Sequence, residues 1–282
     1  MRRTFLRVLI ALIPALPAFS TVAWCAPVAV PEEVPAGPAD GVKFAPPGED
    51  RIPNTPLGDM IRQGRDIFID TQTHAKPYVG NGLNCVNCHL DAGRLANSSP
   101  LWAAYVAYPA FRTKNNKVNS YQERLEGCFI FSMNGRMPPP DSDVMIALVS
   151  YSYWLATGAP TGAQLAGRGY PDVPQPPLAP DVKRGAAVYG ERCALCHGAN
   201  GQGTRAGTAY AFPPLWGRDS YNAGAGMHRV NTAAAFIKAN MPLGQGNSLT
   251  DQQAWDVAAL INSRPRPADP RTKTAATGKS GR

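Results

Sequence analysis

The chain has 282 residues, 44% of them hydrophobic and 17% charged, with a formal net charge of +8. That length accommodates two small domains, and the composition is that of a globular protein rather than a disordered or membrane-embedded one. The basic residues are scattered rather than striped, which argues against nucleic acid and suits a small anionic substrate or an acidic partner.

The first stretch, Met1-Arg2-Arg3-Thr4-Phe5-Leu6-Arg7, is basic, and an apolar run from Val8 to Ala23 follows it, broken by Pro14 and Pro17. The run is shorter than the roughly 20 residues a helix needs to cross a bilayer. The pattern predicts a secretory signal peptide over residues 1–23, a periplasmic destination, and no transmembrane segment after cleavage. A cut after Ala26 competes with one after Ala23. Cys25 raises a lipid-attachment reading, which the bulky Trp24 before it opposes. Residues 24–54 form a proline-rich leader without apolar periodicity, loose or wrapped on the surface.

Leu57 to Phe68 reads as an amphipathic helix with Leu57, Ile61, Ile67 and Phe68 on its apolar side. It leads toward Cys85-Val86-Asn87-Cys88-His89. Asp181 to Tyr189, with Asp181 as a candidate N-cap, leads in the same way to Cys193-Ala194-Leu195-Cys196-His197. Each motif is followed, after a long loop, by a further helical segment, at 142–156 and 250–263.

A Cys-x-x-Cys-His run is the attachment site of a c-type haem: two thiols bond the vinyl groups and the adjacent histidine supplies one axial nitrogen. A structural zinc site needs four closed ligands, and a thioredoxin-like site needs a βαβ context absent here. Two such runs in an exported chain imply two covalently bound haem c groups, held by Cys85 and Cys88 and by Cys193 and Cys196. The repeated order predicts an all-α fold of two cytochrome c-like haem domains in tandem, residues 55–166 and 181–266. A Pro/Gly-rich linker, 167–180, joins them with five prolines and two glycines. Residues 267–282 read as a disordered basic tail.

The second axial ligand of each iron comes from elsewhere in its half. For the haem of His197 the candidate is Met241, in Asn240-Met241-Pro242 just before the terminal helix, with Met227 and His228 as rivals. For the haem of His89, Met133, Met137, His74 and Cys128 all compete. Met137-Pro138 imitates Met241-Pro242. Cys128 is, with Cys25, the thiol left once the haem cysteines are assigned, in an oxidising compartment where a lone thiol needs a reason. Spacing leaves Cys128 and Met137 both open.

The segment Glu123-Arg124-Leu125-Glu126-Gly127-Cys128-Phe129-Ile130-Phe131-Ser132-Met133-Asn134-Gly135 resembles the cysteine-ligand motif of the thiosulfate dehydrogenase family of dihaem cytochromes. The likeness continues through Gly82-Leu83-Asn84-Cys85, Phe212-Pro213-Pro214-Leu215-Trp216-Gly217 and the Asn240-Met241-Pro242 loop, from about Thr55 to Pro267. It implies an enzyme that interconverts thiosulfate and tetrathionate, with a catalytic first haem ligated by His89 and Cys128 and a second haem passing electrons outward. It also implies that Arg124 and Ser132, and on a looser match Arg112, contact substrate. Some family members carry a lysine just before the methionine of the second haem; here the position is Asn240, which implies His197/Met241 ligation in both redox states. The external electron acceptor or donor is expected to be a cytochrome c.

The implied reaction joins two thiosulfates through their sulfane sulfurs and releases two electrons. Thiolate ligation lowers the potential of the first haem and places a sulfur nucleophile at the substrate pocket. The rival readings are a non-catalytic electron carrier, or cytochrome subunit of another dehydrogenase, and a dihaem peroxidase. A relay needs neither a thiolate ligand nor an anion pocket.

Overall fold

A computed structural model describes residues 41–272; the expected signal peptide, Cys25 and the end of the basic tail lie outside the described residues. Caps set the main helices. Thr55 accepts from the Gly58 N–H at 3.2 Å and Pro56 takes the first helical position, so the helix runs Pro56–Ile69. Ser142 caps Asp143–Leu155, Asp181 caps Val182–Arg192, and Thr250 with Gln253 forms a capping box on Asp251–Ser263. Leu101–Val106 and Tyr121–Gly127 lie within the first half and Val230–Asn240 within the second.

The all-α expectation requires one correction. Two segments expected as loops contain short antiparallel hairpins, Ala110–Arg112 with Lys117–Asn119 and Thr204–Ala206 with Ala209–Phe212. Asn116 and Gly207 take left-handed backbone in the turns, a conformation that glycine and asparagine tolerate best. Each strand is only three or four residues long, too brief for an alternating apolar pattern to register in the sequence.

Buried apolar side chains gather in two clusters. One holds Ile61, Phe68, Trp102, Leu148 and Tyr151; the other holds Phe236, Leu249, Val257 and Ile261. In each half the helix preceding the Cys-x-x-Cys-His motif packs on the terminal helix, Pro56–Ile69 on Asp143–Leu155 and Val182–Arg192 on Asp251–Ser263. Both crossings run over a glycine. A Cβ on Gly64 would lie 2.0 Å from the Ala147 carbonyl oxygen, and one on Gly185 would lie 2.1 Å from that of Asp256. Any side chain at either position would force the helices apart and strip contacts from core residues whose burial contributes roughly 1.5–3 kcal/mol each.

The described part of the leader wraps the first cluster: Val42 bridges Leu165 and the Phe44 ring lies 5.4 Å from Trp102. The segment expected as a linker is tied down along its length. Gly167 and Gly169 carbonyls accept from the Asn97 and Ser99 amides, both at 2.7 Å, and Pro174 accepts from the Trp255 indole at 3.0 Å. The start of the expected tail is also engaged, since the Pro267 carbonyl accepts from the Ala223 N–H at 2.9 Å. Among the described residues, no helix is long and apolar enough to cross a membrane.

Candidate active site

The helix Tyr121–Gly127 begins with a capping box in which Ser120 and Glu123 satisfy each other's backbone N–H groups. This fixes the phase of the helix and places Arg124 and Cys128, four residues apart, on one face. The Arg124 Nη1 donates to Cys128 Sγ at 2.8 Å. The electrostatic influence of the Cys128 sulfur, opposed by burial, raises the Arg124 pKa above its ordinary value, so the guanidinium is firmly charged.

At Cys128 the helix changes pitch. Residues Cys128–Ser132 form a π turn in which the Met133 N–H donates to the Cys128 carbonyl at 2.9 Å. Such turns are rare and gather at functional sites. Cys128, Ser132 and Met133 all line a cavity of about 430 Å³ that Cys85, Cys88 and His89 also line.

His89 is prepared as a metal ligand. Its Nδ1 lies 2.7 Å from the Ser99 carbonyl oxygen, which only a protonated Nδ1 can satisfy, leaving Nε2 as the bare nitrogen. Burial lowers the His89 pKa to about 4, keeping the ring neutral. Burial pushes the Cys85 and Cys88 thiols up to about 12, and Thr71 Oγ1 accepts from the Cys85 N–H at 3.1 Å. Apolar side chains such as Phe68, Leu101 and Leu125 supply much of the remaining wall, with Arg168 and Asp172 also lining it. An apolar slot holding a neutral imidazole, two adjacent thiols and a third, arginine-paired thiol has the donor set of a covalently attached haem.

Of the sequence candidates for the second ligand, Met137 is 56% exposed and absent from the cavity wall, and His74 is exposed. Met133 is buried on the wall. Arg124 and Ser132 are brought to the cavity; Arg112 is not, standing instead on the Ala110–Arg112 strand. Its positive charge is felt at Lys114, together with those of Arg271, Arg124 and Arg229.

The second motif repeats the histidine arrangement: His197 Nδ1 lies 2.9 Å from the Pro213 carbonyl oxygen, and burial lowers its pKa. Met241, Met227 and Cys193 pack against the same core cluster. The buried Asn240 donates to the carbonyls of Asn97 at 3.0 Å and Phe236 at 3.1 Å. The amide is therefore engaged with backbone. His228 Nδ1 is buried without a hydrogen-bond partner among the described residues.

Sequence reasoning missed Tyr170 on the cavity wall, whose hydroxyl donates to the Cys88 carbonyl at 3.0 Å. A lone aromatic inside a Pro/Gly-rich segment was the available signal. It also missed Asn81 and Asn222, which brace the Cys128 turn.

The cytochrome c family model matches residues 182–265. The chain is 62% identical to a thiosulfate dehydrogenase of Stutzerimonas stutzeri (strain A1501), over 81% of this chain and 74% of that one. It is 54% identical to a thiosulfate dehydrogenase of Thiomonas intermedia (strain K12), over 91% of this chain and 82% of the relative. Among solved structures it resembles thiosulfate dehydrogenase (TsdBA) from Marichromatium purpuratum in its as-isolated form, with a TM-score of 0.79 and 51% identity. That match covers 85% of this chain and 54% of the solved one, which is thus considerably longer.

Proposed function

The chain belongs to the thiosulfate dehydrogenase family, and on that premise we propose that it oxidises two thiosulfates to tetrathionate at the cavity shared by His89, Arg124 and Cys128. Residues 55–166 and 181–266 are read as two cytochrome c-like units joined by 167–180, and residues 1–23 as the signal that sends the chain to the periplasm. Cys85 and Cys88 would anchor the first haem c, and His89 and Cys128 would hold its iron. Cys193 and Cys196 would anchor the second, and His197 and Met241 would hold its iron. When bound, the haems supply one-electron acceptors in series, from the first to the second and on to an external cytochrome c.

The protein's own groups carry the sulfur chemistry. Arg124 offers a charged fork to sulfonate oxygens and offsets the repulsion between two dianions. Ser132, on the same wall, offers a hydroxyl. The Cys128 thiolate joins the sulfane sulfur of one thiosulfate in a new S–S bond, with loss of two electrons. The sulfane sulfur of the second thiosulfate then attacks the outer sulfur of that bond, releasing tetrathionate and restoring the thiolate. No oxygen or proton is transferred.

The observation that carries this reading is the 2.8 Å Arg124–Cys128 pair within the cavity lined by the first Cys-x-x-Cys-His motif. Its test is thiosulfate oxidation by the holoprotein with ferricyanide as acceptor, beside Cys128→Met. The variant is expected to retain both haems and lose turnover. Undiminished turnover would overturn the sulfur role, and a wild-type protein that passes electrons without oxidising thiosulfate would be a relay.

A further inference from the structure

A helix that ends leaves its last carbonyls without intrahelical partners. The turn bearing Cys128 allows a complete account. The Cys128 carbonyl accepts from Met133 N–H and that of Phe129 from Gly135 N–H, both at 2.9 Å, within the turn itself. The next three point to partners distant in sequence. Ile130 accepts from Asn222 Nδ2 at 2.9 Å, Phe131 from the Asn222 backbone N–H at 3.1 Å, and Ser132 from Asn81 Nδ2 at 2.8 Å.

Asn222 is 0% exposed, and its amide is fully used. The second Nδ2 proton goes to Asn134 Oδ1 at 3.1 Å, while Oδ1 accepts from the Gly224 N–H at 3.0 Å. Asn134 closes the turn in left-handed backbone at φ 46°. Asn81 continues the brace, donating also to the Ser220 carbonyl at 3.2 Å and accepting from the Leu83 N–H, two residues before Cys85. One bonded network therefore joins the Cys128 turn, the approach to the first haem motif and residues 220–224, which follow the second motif in the chain.

We infer that Asn222 is a positioning residue for Cys128: from the C-terminal half of the chain it clamps the π turn so that the thiol is presented to the first haem site in one geometry. The inference rests on Cys128 as the axial ligand of that haem. A side chain whose sulfur forms and breaks an S–S bond in each turnover needs a backbone that stays in place while the thiol rotates. Two side-chain bonds and one backbone bond from Asn222 supply that restraint. Only a side chain with two N–H donors and an acceptor on one planar group fits these partners.

The test uses the full-length holoprotein with Asn222→Ala, and Asn134→Gly as a milder variant that keeps the left-handed backbone and deletes only the side-chain bond to Asn222. Leu155→Ala, a core truncation that leaves every hydrogen bond of the turn intact, controls for lost stability. Electron paramagnetic resonance reads the ligation of each haem, and amide exchange reads the segment 128–135. Asn222→Ala is expected to make the thiolate signal heterogeneous, to speed exchange at Met133 and Gly135, and to lower kcat on the order of tenfold to a hundredfold. KM should change less and the second haem's signal should stay as in wild type. Asn134→Gly should shift the same readouts less, and still reports if Asn222→Ala does not accumulate. If both variants match Leu155→Ala, with a wild-type thiolate signal and kcat, the positioning role is overturned. A wild-type protein without a thiolate signal would instead overturn the Cys128 ligand assignment.

Discussion

Asn240, the residue before Met241, donates its side-chain amide to the backbone carbonyl of Asn97 at 3.0 Å, tying the end of the Val230–Asn240 helix to the segment that follows the first haem motif. The side chain is buried and also bonds Phe236, so on the proposed ligand set position 240 offers nothing that competes with the Met241 sulfur. Oxidised and reduced protein should therefore show the same His/Met signature at the second haem, read as the methionine charge-transfer band and by magnetic circular dichroism. Loss of that signature on oxidation would contradict this. Asn240→Ala should cost about 1 kcal/mol of stability, the usual net value of a hydrogen bond.

Arg124 is the second residue whose replacement is informative. Arg124→Lys keeps a positive charge but not the planar fork. Removing a charged hydrogen bond costs about 1.5–3 kcal/mol, so kcat/KM for thiosulfate should fall roughly tenfold to a hundredfold. Steady-state kinetics with ferricyanide read the loss, and both haems should remain attached.

Lys114 tests long-range steering. Its ammonium lies 4.6 Å from the centre of the Phe131 ring and donates to the Gly224 carbonyl at 2.8 Å. Burial first, then the positive charges of Arg271, Arg112, Arg124 and Arg229, lowers its pKa. Such a field attracts a dianion and is screened over about 10 Å at 0.1 M salt. Lys114→Gln should lower kcat/KM at low ionic strength by a few-fold, and the difference should shrink as salt is added. A ratio independent of salt would remove the steering role.

Asp256, in the second half, contributes to the pH dependence of stability. It is buried at the Gly185 crossing and receives Arg184 through Nε at 2.8 Å and Nη2 at 2.9 Å, with the Asp181 N–H at 2.7 Å. Burial alone would raise its pKa; the bonds from Arg184, Asp181 and Gln252 outweigh burial and lower it. A depressed native pKa means stabilisation fully present above the unfolded value of about 3.9 and lost as pH falls through the native one. Thermal unfolding midpoints of wild type should drop over that acidic window, and Asp256→Asn should flatten the drop while lowering stability near neutral pH.

The helices were legible in local chemistry: Asp181 signals the cap that it forms, and the apolar content of 142–156 and 250–263 marks helices that the structure shows capped by Ser142 and Thr250. The haem motifs were equally plain, being contiguous. What escaped depends on contacts between distant residues. Met137 and Met241 share a following proline, yet one is exposed and the other packs on the second core cluster; spacing alone does not distinguish them. The 167–180 segment has a linker's composition, but Gly167 and Gly169 accept backbone bonds that only the folded partner reveals. Asn222 carries no motif at all, and its importance lies in three bonds to residues 130, 131 and 134.

Both His89 and His197 rest their Nδ1 on a backbone carbonyl, Ser99 in one case and Pro213 in the other. Among the described residues neither ring is bonded to a carboxylate, which would draw the proton away and make the ring a stronger electron donor to iron. The two histidines are thus held by the same kind of acceptor. On the ligand sets proposed above, a gap in reduction potential between the two centres would come from the distal sulfur, thiolate against thioether, and from the surroundings of each site. The molecule contains its own reference electrode: exchanging the distal residue alone, at one centre, measures what that sulfur is worth.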